Sequence, residues 1–334
     1  MTVAPEAPTY AAGCVLSVDP LITFSKRQSG LPVGFASLEP GRFAAGPSLN
    51  FVGLTWSSAT ESEARRVAHD LFAAACALPK AKFVVVANTP TESLQLARLS
   101  VPNILANELM FVDERIFVPS APTAAPEKEY EAVYVARLLT WKRHELARAV
   151  ENLLLIYDHE PAAGEVRRVR LVLPRARFGN HEFNGGAYKH LPQEVFLDLV
   201  RKSAVGLCLS AREGSMRASL EYRLCGIPVV STRSLGGRDR YFCGPHVRVV
   251  DDDPVSVARA VQDLRSRAFD PLAVREFVGS LIAFDRHNFL LNVNKIVEHE
   301  LGVRDAFPSF APFVRFPVAW RPAGEIFSVL DAPA

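Results

Sequence analysis

The sequence lacks the features that mark nucleic-acid-binding, membrane-spanning or repeat proteins. Its 334 residues carry a formal net charge of +2, so no strong attraction to nucleic acid or to a charged membrane surface is expected. No apolar run approaches the ~20 residues of a membrane span. Neither an internal repeat nor a signal-peptide pattern is present. We therefore expect a cytoplasmic globular protein with no nucleic-acid partner and no membrane span.

Cysteine is scarce, and its spacing is irregular. The chain has five cysteines, an odd number, and none of them has the spacing of a metal site. Cys208 and Cys225 lie inside apolar segments, which is typical of reduced core residues in a cytosolic protein. No disulfide framework and no bound metal are predicted.

Apolar runs alternate with helical patterns along the chain. With 49% hydrophobic residues, a chain of this length can bury two cores of ordinary domain size. The alternation is typical of βαβ units on a parallel sheet. The predicted strands are 13–18, 51–54, 83–87, 131–136, 169–173, 205–209, 228–231 and 247–250, and the predicted helices include 61–78 and 284–302. Residues 120–129 are rich in Pro, Ala and charge and are predicted to be an interdomain linker.

The most informative stretch covers residues 205–230 and reads VGLCLSAREGSMRASLEYRLCGIPVV. An apolar run is followed by a polar loop with Glu213, and then by a helical pattern with Glu221 that ends at Gly226. The spacing places one carboxylate at a strand-to-helix turn and the second on the helix. Because ligands of open α/β sheets bind at the carboxyl ends of strands, this turn is a candidate site.

Small residues surround the first carboxylate. Gly214 and Ser215 allow a ligand to approach the backbone, and the amides near Ser215 and Met216 face whatever Glu213 faces. Such a site suits a ligand with both hydroxyl and phosphate groups. The alternative is that Glu213 is an ordinary N-terminal helix acid and Glu221 a solvated helix residue.

The same stretch resembles the donor-binding core of the retaining family-4 glycosyltransferases, which have the GT-B fold. Their signature is a Glu, seven residues, a second Glu and then an Ala- or Cys-Gly-x-Pro-Val-Val strand. Glu213, Glu221 and residues 225–230 match it here. Further segments are similar to the family's and follow in the same order: 134–150, 191–210, 231–242 and 247–264. Together these motifs are far more specific than one Glu spacing.

The resemblance implies an α/β fold of GT-B architecture, with two Rossmann-like domains facing a cleft and a C-terminal helix that crosses back to the first domain. We predict a short acceptor-side domain over 1–125, a nucleotide-sugar donor-binding domain over 126–302, and a Pro-rich tail over 303–334 that packs on the first domain.

The resemblance also implies roles for individual residues. Arg137 and Lys142 match the cations that grip the donor diphosphate as it leaves, and two fixed cations suit that charge. Glu213 and the amides of 214–216 hold the transferred sugar, and Glu221 accepts hydrogen bonds from the ribose. The predicted catalytic residues are Glu213, Arg137 and Lys142. Without the resemblance, Arg137 and Lys142 read equally well as exposed basic residues at a strand end.

One loop with paired glycines matches the family, and two other positions depart from its usual sequence. Gly236 and Gly237 match the loop that lies under the donor, although a tight turn with no ligand role explains them nearly as well. Ala136 and Arg143 stand where the family usually has glycine. Arg143 is expected either to add a third cation to the site or to point to solvent.

Other candidate residues receive structural interpretations. The nearest candidate for the family's Gly-rich loop is residues 25–30, SKRQSG, a weak match with one glycine and two cations. His69 lies in a charged helical pattern and reads as a surface or helix-packing residue. Asp253 in an acidic triplet is read as a helix N-cap with Pro254 at the first helical position, rather than as a metal ligand.

The sequence therefore predicts a retaining glycosyltransferase that needs no metal and no cofactor. Its donor is a nucleotide diphosphate sugar, with a UDP-sugar expected, and its acceptor is a small molecule, a glycan or a lipid-linked compound. One alternative is a catalytically inactive GT-B protein that binds nucleotide sugar as a sensor or as a partner subunit. Another is a GT-B sugar-phosphate enzyme such as an epimerase or a phosphorylase.

Overall fold

The chain forms two compact units. The computed structural model describes residues 10–54, 60–121, 127–182, 186–314 and 320–331. The described residues up to 112 and from 283 onward form unit 1, and those from 113 to 282 form unit 2. These limits differ from 125 and 302, where the sequence analysis divided the chain, and the roles given to the three predicted parts stay predictions. Residues 122–126 of the predicted linker lie outside the described residues.

Unit 1 is built on a six-stranded sheet in the order β14-β1-β2-β3-β4-β5. β2 to β5 are parallel, and β1 runs antiparallel to both β2 and β14. The strands are β1 Tyr10–Val18, β2 Leu21–Lys26, β3 Ser48–Gly53, β4 Ala81–Ala87, β5 Asn103–Leu105 and β14 Trp320–Pro322. The helices are α1 Phe35–Leu38, α2 Pro40–Ala45, α3 Glu61–Ala77, α4 Pro90–Arg98 and α11 Ala323–Asp331. The predicted strands 13–18, 51–54 and 83–87 and the helix 61–78 are confirmed within a few residues.

Local sequence explains where the main helices of unit 1 begin. Thr60 and Glu63 form a capping box at the start of α3, and Thr89 and Glu92 form another at the start of α4. In each box the threonine side chain accepts from the third helical amide, while the glutamate accepts from the amide of the threonine.

Unit 2 is built on a second six-stranded sheet, all parallel, in the order β13-β11-β9-β6-β7-β8. Its strands are β6 Tyr130–Val135, β7 Leu153–Ile156, β8 Arg177–Phe178, β9 Ser203–Cys208, β11 Val229–Thr232 and β13 Val247–Val250. A separate parallel pair joins β10 Arg212–Glu213 to β12 Leu235–Gly236. The helices are α5 Ala163–Val172, α6 Gly179–Glu182, α7 Gln193–Arg201, α8 Arg217–Leu224 and α9 Pro254–Ser266.

One predicted strand is wrong. Residues 169–172 form the end of α5, and Leu173 is its C-cap. The strand of this region is β7, which the sequence did not predict. In a strand, the alternating Val169, Leu171 and Leu173 would lie on one face. Here Val169 and Leu173 are buried but Leu171 is 76% exposed, which fits the period of a helix. Glu165 accepts a hydrogen bond from the Ala162 amide at 3.1 Å and so supports the helix start.

The segment after β6 also differs from its predicted form. Residues 134–150 are similar to a family segment that ends in a helix, but here only two short 3₁₀ turns, Thr140–Lys142 and His144–Ala147, follow the strand. Arg143 separates them in a left-handed conformation with φ 52°. Because a left-handed residue cannot continue a right-handed helix, Arg143 ends the first turn, and the second turn begins after it.

Later elements follow the sequence interpretation. Asp253 caps α9, where its carboxylate accepts from the Ser256 amide at 2.7 Å with proline at the first helical position. All five cysteines are free, and Cys208 and Cys225 are buried. None of the helices in the described ranges is both long and apolar enough to cross a membrane.

The long helix α10 Pro271–Leu301 contributes to both units. In its first part, Arg275 donates to the carbonyl of Leu224 at 3.0 Å within unit 2. In its later part, Arg286 donates to the carbonyls of Met110 and Val112 at 2.8 and 2.7 Å within unit 1. The predicted return of the C-terminal helix to the first domain is thus confirmed.

An aromatic cluster holds this later part in the core of unit 1. The ring of Phe289 lies 6.3 Å from that of Phe24, 5.3 Å from that of Phe111 and 5.1 Å from that of Phe313. The rings of Phe111 and Phe313 meet Phe289 edge to face, and that of Phe24 is stacked on it. Both arrangements contribute beyond the area that they bury.

We expect Phe289→Ala to lower the free energy of unfolding by about 3–5 kcal/mol, because it opens a cavity in this cluster. Phe284→Ala in the same helix is the matched control. Since Phe284 is 65% exposed, its replacement should change stability by less than about 0.5 kcal/mol. Urea denaturation of the full chain measures both, and equal losses would contradict the packing of Phe289.

Candidate functional site

A cavity of about 400 Å³ lies at the carboxyl ends of β6 and β7 in unit 2. Residues that follow the two strands line one side, and the start of α8 lines the other. This is the place where parallel α/β sheets bind ligands. Its lining includes Ala136, Arg137, Lys142, Tyr157, Asp158, Phe196, Ser215, Met216, Arg217 and Glu221.

The structure brings the predicted site residues together. Arg137, Lys142, Ser215, Met216 and Glu221 line the cavity directly. The others belong to the adjoining β10–β12 pair or to the turns next to it, namely Glu213, Gly214, Gly236 and Gly237.

Lys142 and Glu213 form a buried ion pair between Nζ and Oε1. Their side chains are only 13% and 6% exposed. The Tyr134 hydroxyl donates to the Lys142 carbonyl at 2.5 Å and so fixes the backbone of the lysine. Because a buried charge without a partner is strongly destabilising, each of the two side chains depends on the other in the ligand-free protein.

The paired glycines hold the backbone of Glu213. The Gly237 amide donates to the carbonyls of Glu213 and Gly214 at 3.1 and 2.9 Å. Gly236 has φ 110°, and a Cβ atom there would lie 1.8 Å from the Glu213 carbonyl oxygen. This contact requires glycine at 236, so the loop has a structural role. Its predicted role in ligand binding stays a prediction.

Glu221 lies on α8 and faces the cavity. It is buried, so it is not the solvated helix residue of the alternative interpretation. Burial raises the pKa of its carboxyl group, and the nearby Arg217 guanidinium at 3.4 Å opposes that rise. A buried acceptor that lines the cavity can bind hydroxyl groups of a ligand.

Arg137 lies at the exposed rim of the cavity. Its Nε is 3.3 Å from Oδ1 of Asp158, and the two side chains are 49% and 66% exposed. Exposed pairs of this kind contribute little to stability, about 0–1 kcal/mol. Arg137 can therefore change partners at small cost.

Comparison with known proteins bears on the fold. No protein-family model matches the chain, and no curated protein matches its sequence. Among solved structures, a sucrose-phosphate synthase from Thermosynechococcus elongatus is similar with a TM-score of 0.53 at 16% identity, over 79% of this chain and 77% of that one. A glycosyltransferase from Rickettsia africae is similar with a TM-score of 0.53 at 13% identity, over 80% and 79%.

A third solved structure is the α,α-trehalose-phosphate synthase (UDP-forming) from Burkholderia xenovorans, with a TM-score of 0.51 at 14% identity, over 80% of this chain and 70% of that one. The chain has the GT-B fold. The predicted α/β class with two Rossmann-like units is thereby confirmed, while identities this low show the fold alone.

Arg143 stands where the family-4 glycosyltransferases that the sequence resembles usually have glycine, and the structure shows what its side chain does instead. It has φ 52° and ψ 49°, a conformation that favours the glycine usual in the family. Its guanidinium donates to the Leu209 carbonyl at 2.6 Å, to Thr232 Oγ1 at 2.7 Å and to Asp252 Oδ2 at 2.6 Å. The arginine therefore neither adds a third cation to the cavity nor points to solvent, and both expectations for it are wrong.

Arg238 is a structural residue that the sequence analysis missed. Its side chain is fully buried, and its guanidinium donates to the carbonyls of Cys208 and Ser210 at 3.0 and 2.7 Å and to Ser231 Oγ at 2.9 Å. It also donates to the Thr232 carbonyl. Arg238 thus joins the ends of β9 and β11, next to the loop that holds Glu213.

His144 is a second missed residue. It is buried beside the Tyr134 ring, with centroids 5.2 Å apart. Burial, followed by the charges of Arg168 and Lys142, lowers the pKa of its imidazole to about 3. His144 therefore stays neutral at physiological pH and supplies no charge next to Lys142. In the described ranges, no group of three or more His, Cys, Asp or Glu side chains could hold a metal ion.

In unit 1, the segment 25–30 begins at the end of β2. Lys26 pairs with Glu108, and Arg27 pairs with Asp70. Ser25 Oγ accepts from the Phe35 amide at 3.1 Å and so holds the start of α1. His69 is 82% exposed in its side chain, which confirms the surface interpretation.

We expect Arg143→Gly to be more stable than Arg143→Ala by about 1 kcal/mol, because both lose the guanidinium contacts but only alanine is strained at positive φ. Arg148, at φ −63°, is the matched control: there alanine should be the more stable of the two, since glycine costs more backbone entropy. Denaturant unfolding compares the four variants. The same order at both positions would contradict the left-handed conformation of Arg143.

Proposed function

We propose that this protein is a retaining family-4 glycosyltransferase that transfers a sugar from a nucleotide diphosphate sugar. The observation that supports it most is the convergence of the predicted donor-site residues on one cavity at the carboxyl ends of β6 and β7. Its GT-B fold and the order of its family-like motifs give further support. In this proposal unit 2 binds the donor and unit 1 belongs to the acceptor side, and the protein is cytoplasmic.

Arg137 and Lys142 hold the donor diphosphate. Charge-assisted hydrogen bonds contribute about 1.5–3 kcal/mol each, and more if they are directed at the charge that develops on the leaving group. Both cations have carboxylate partners in the free protein. Donor binding is therefore an exchange, in which Lys142 moves its ammonium from Glu213 to phosphate.

The same exchange frees Glu213 to accept hydrogen bonds from the transferred sugar, beside the amides of Gly214 to Met216. Glu221 accepts from the ribose hydroxyls. Gly236 and Gly237 hold the Glu213 loop where the donor passes. UDP is the proposed nucleotide, and the UDP-forming activity named for the trehalose-phosphate synthase of similar fold is consistent with it.

The family resemblance implies front-face transfer, in which the leaving phosphate assists removal of the acceptor proton. No protein base is then required, and none is assigned. Metal ions and cofactors have no part in this proposal, since Arg137 and Lys142 supply the positive charge that the diphosphate needs. The acceptor is a small molecule, a glycan or a lipid-linked compound.

A second candidate function is nucleotide-sugar binding without transfer. It is favoured by the segment 25–30, which has one glycine where the family has a Gly-rich loop. Its two cations, Lys26 and Arg27, are engaged in ion pairs inside unit 1. Such a protein would bind the donor but show neither transfer nor donor hydrolysis.

The two glutamates test the proposal. Glu221→Gln should weaken UDP binding, by about the 1.5–3 kcal/mol of a charged hydrogen bond. Glu213→Gln should bind UDP at least as tightly as the wild type, because it frees Lys142 for the diphosphate. It should lower turnover by ~10²–10³, because Glu213 faces the positive charge that develops on the sugar. Calorimetric titration with UDP, and the rates of donor hydrolysis or transfer, measure the two effects.

Titration of the wild type with UDP, GDP and ADP identifies the base. If no nucleoside diphosphate binds at millimolar concentration, the proposed donor site is wrong. If UDP binds but neither glutamate variant affects affinity or rate, the roles given to the two residues are wrong. Binding without any turnover in the wild type would instead favour the second candidate.

A further inference from the structure

Three ion pairs surround the cavity, and their charges balance. Each of its cations lies within 4 Å of a carboxylate oxygen. Arg137 pairs with Asp158 at 3.3 Å, Arg217 pairs with Glu221 at 3.4 Å, and Lys142 pairs with Glu213. A diphosphate adds further negative charge. It can bind tightly only where a cation leaves its carboxylate partner.

Two of the three carboxylates already have proposed roles, but Asp158 has none. Glu213 and Glu221 are buried, whereas Asp158 is an exposed residue in the lining of the cavity. The donor-site motifs give no reason for an acid there. An acidic side chain at the rim of an anion site lowers the affinity for the anion, because like charges repel. The position of Asp158 therefore needs an explanation.

The backbone fixes Asp158 in this position. It follows β7 by one residue, and that residue, Tyr157, is buried. The Tyr157 amide donates to Asn180 Oδ1 at 2.9 Å, and Asn180 Nδ2 donates to the Lys189 carbonyl at 3.0 Å. The end of β7 is therefore anchored, and the Asp158 carboxylate stays within reach of Arg137.

We propose that Asp158 sets the affinity for the nucleoside diphosphate by competing with the diphosphate for Arg137. The proposal rests on the proposed function of the cavity. In the free protein, Asp158 pairs with the Arg137 guanidinium. When the donor binds, its diphosphate replaces Asp158 as the partner of the guanidinium. After transfer, Asp158 pairs with Arg137 again, which speeds release of the nucleoside diphosphate product.

The geometry of the pair suits such a competition. The contact uses one guanidinium nitrogen, Nε, and one carboxylate oxygen. Both side chains are substantially exposed. A single, exposed contact is weak and is easily exchanged, whereas a diphosphate can accept two parallel bonds from the same arginine. The competition is thus strong enough to modulate affinity and too weak to prevent binding.

Asp158→Asn tests the proposal, because asparagine keeps the size of the side chain and removes its charge. We expect UDP to bind about fivefold more tightly, the ratio that corresponds to the ~1 kcal/mol at the upper end for an exposed ion pair. Uridine, which lacks phosphate, should bind as it does to the wild type. UDP should also dissociate more slowly in a stopped-flow displacement assay.

Asp263→Asn is the matched control. Asp263 lies on α9 and accepts from Arg248 at 3.2 Å and from Arg267 at 3.0 Å. Its loss changes the net charge of the protein by the same amount as Asp158→Asn, but away from the cavity lining. UDP affinity should therefore stay at the wild-type value. A gain equal to that of Asp158→Asn would overturn the proposal, since general charge would explain both.

The double variant Arg137→Ala/Asp158→Asn shows whether Asp158 acts through Arg137. We expect UDP to bind the double variant no more tightly than Arg137→Ala alone. If removal of the Asp158 charge tightens UDP binding equally in both backgrounds, direct repulsion of the phosphate is responsible and the proposal is wrong.

The remaining outcomes separate this proposal from the function on which it rests. If the wild type binds UDP no more tightly than uridine, the cavity does not hold the diphosphate, and both fall together. If UDP is preferred in the wild type but Asp158→Asn gives no gain in affinity, the donor site stands and the role of Asp158 alone is wrong.

Discussion

The buried ion pair between Lys142 and Glu213 connects two parts of the chain that lie 71 residues apart. Lys142 follows β6, and Glu213 lies beyond β9, the strand that pairs with β6 in the sheet. Neither charge is stable in its place without the other. Tyr134 fixes the backbone of the lysine, and the loop with Gly236 and Gly237 fixes that of the glutamate. The shape of the candidate site depends on this contact.

Two arginines support the same edge of the sheet without entering the cavity. Arg143 and Arg238 together donate to carbonyl or hydroxyl oxygens of Leu209, Ser210 and Thr232. Guanidinium groups suit this task because their donors form a fixed, planar fork. Arg143 and Arg238 thus support the loops next to the cavity. In the proposed complex, a diphosphate therefore competes only for the cations that line the cavity.

Much of the fold was predictable because buried parallel strands are continuous apolar runs, as in residues 203–208 and 229–232. The strand predicted at 169–173 was wrong because a short apolar alternation also fits the end of a half-exposed helix. Sequence motifs predicted residues that the structure brings together at one cavity, and their roles stay predictions. The motifs did not predict the pairing of Lys142 with Glu213, since each residue was assigned to a ligand. Arg238 could not be predicted, because most of its partners are main-chain oxygens on distant segments.

The central claim is that a nucleoside diphosphate binds in the cavity of unit 2 and takes Lys142 away from Glu213. A crystal structure of the UDP complex tests it most directly. We expect phosphate oxygens within about 3.2 Å of Lys142 Nζ and of the Arg137 guanidinium, with the ribose hydroxyls against Glu221 and the Glu213 carboxylate released. UDP bound elsewhere, with Lys142 still paired to Glu213, would contradict the account.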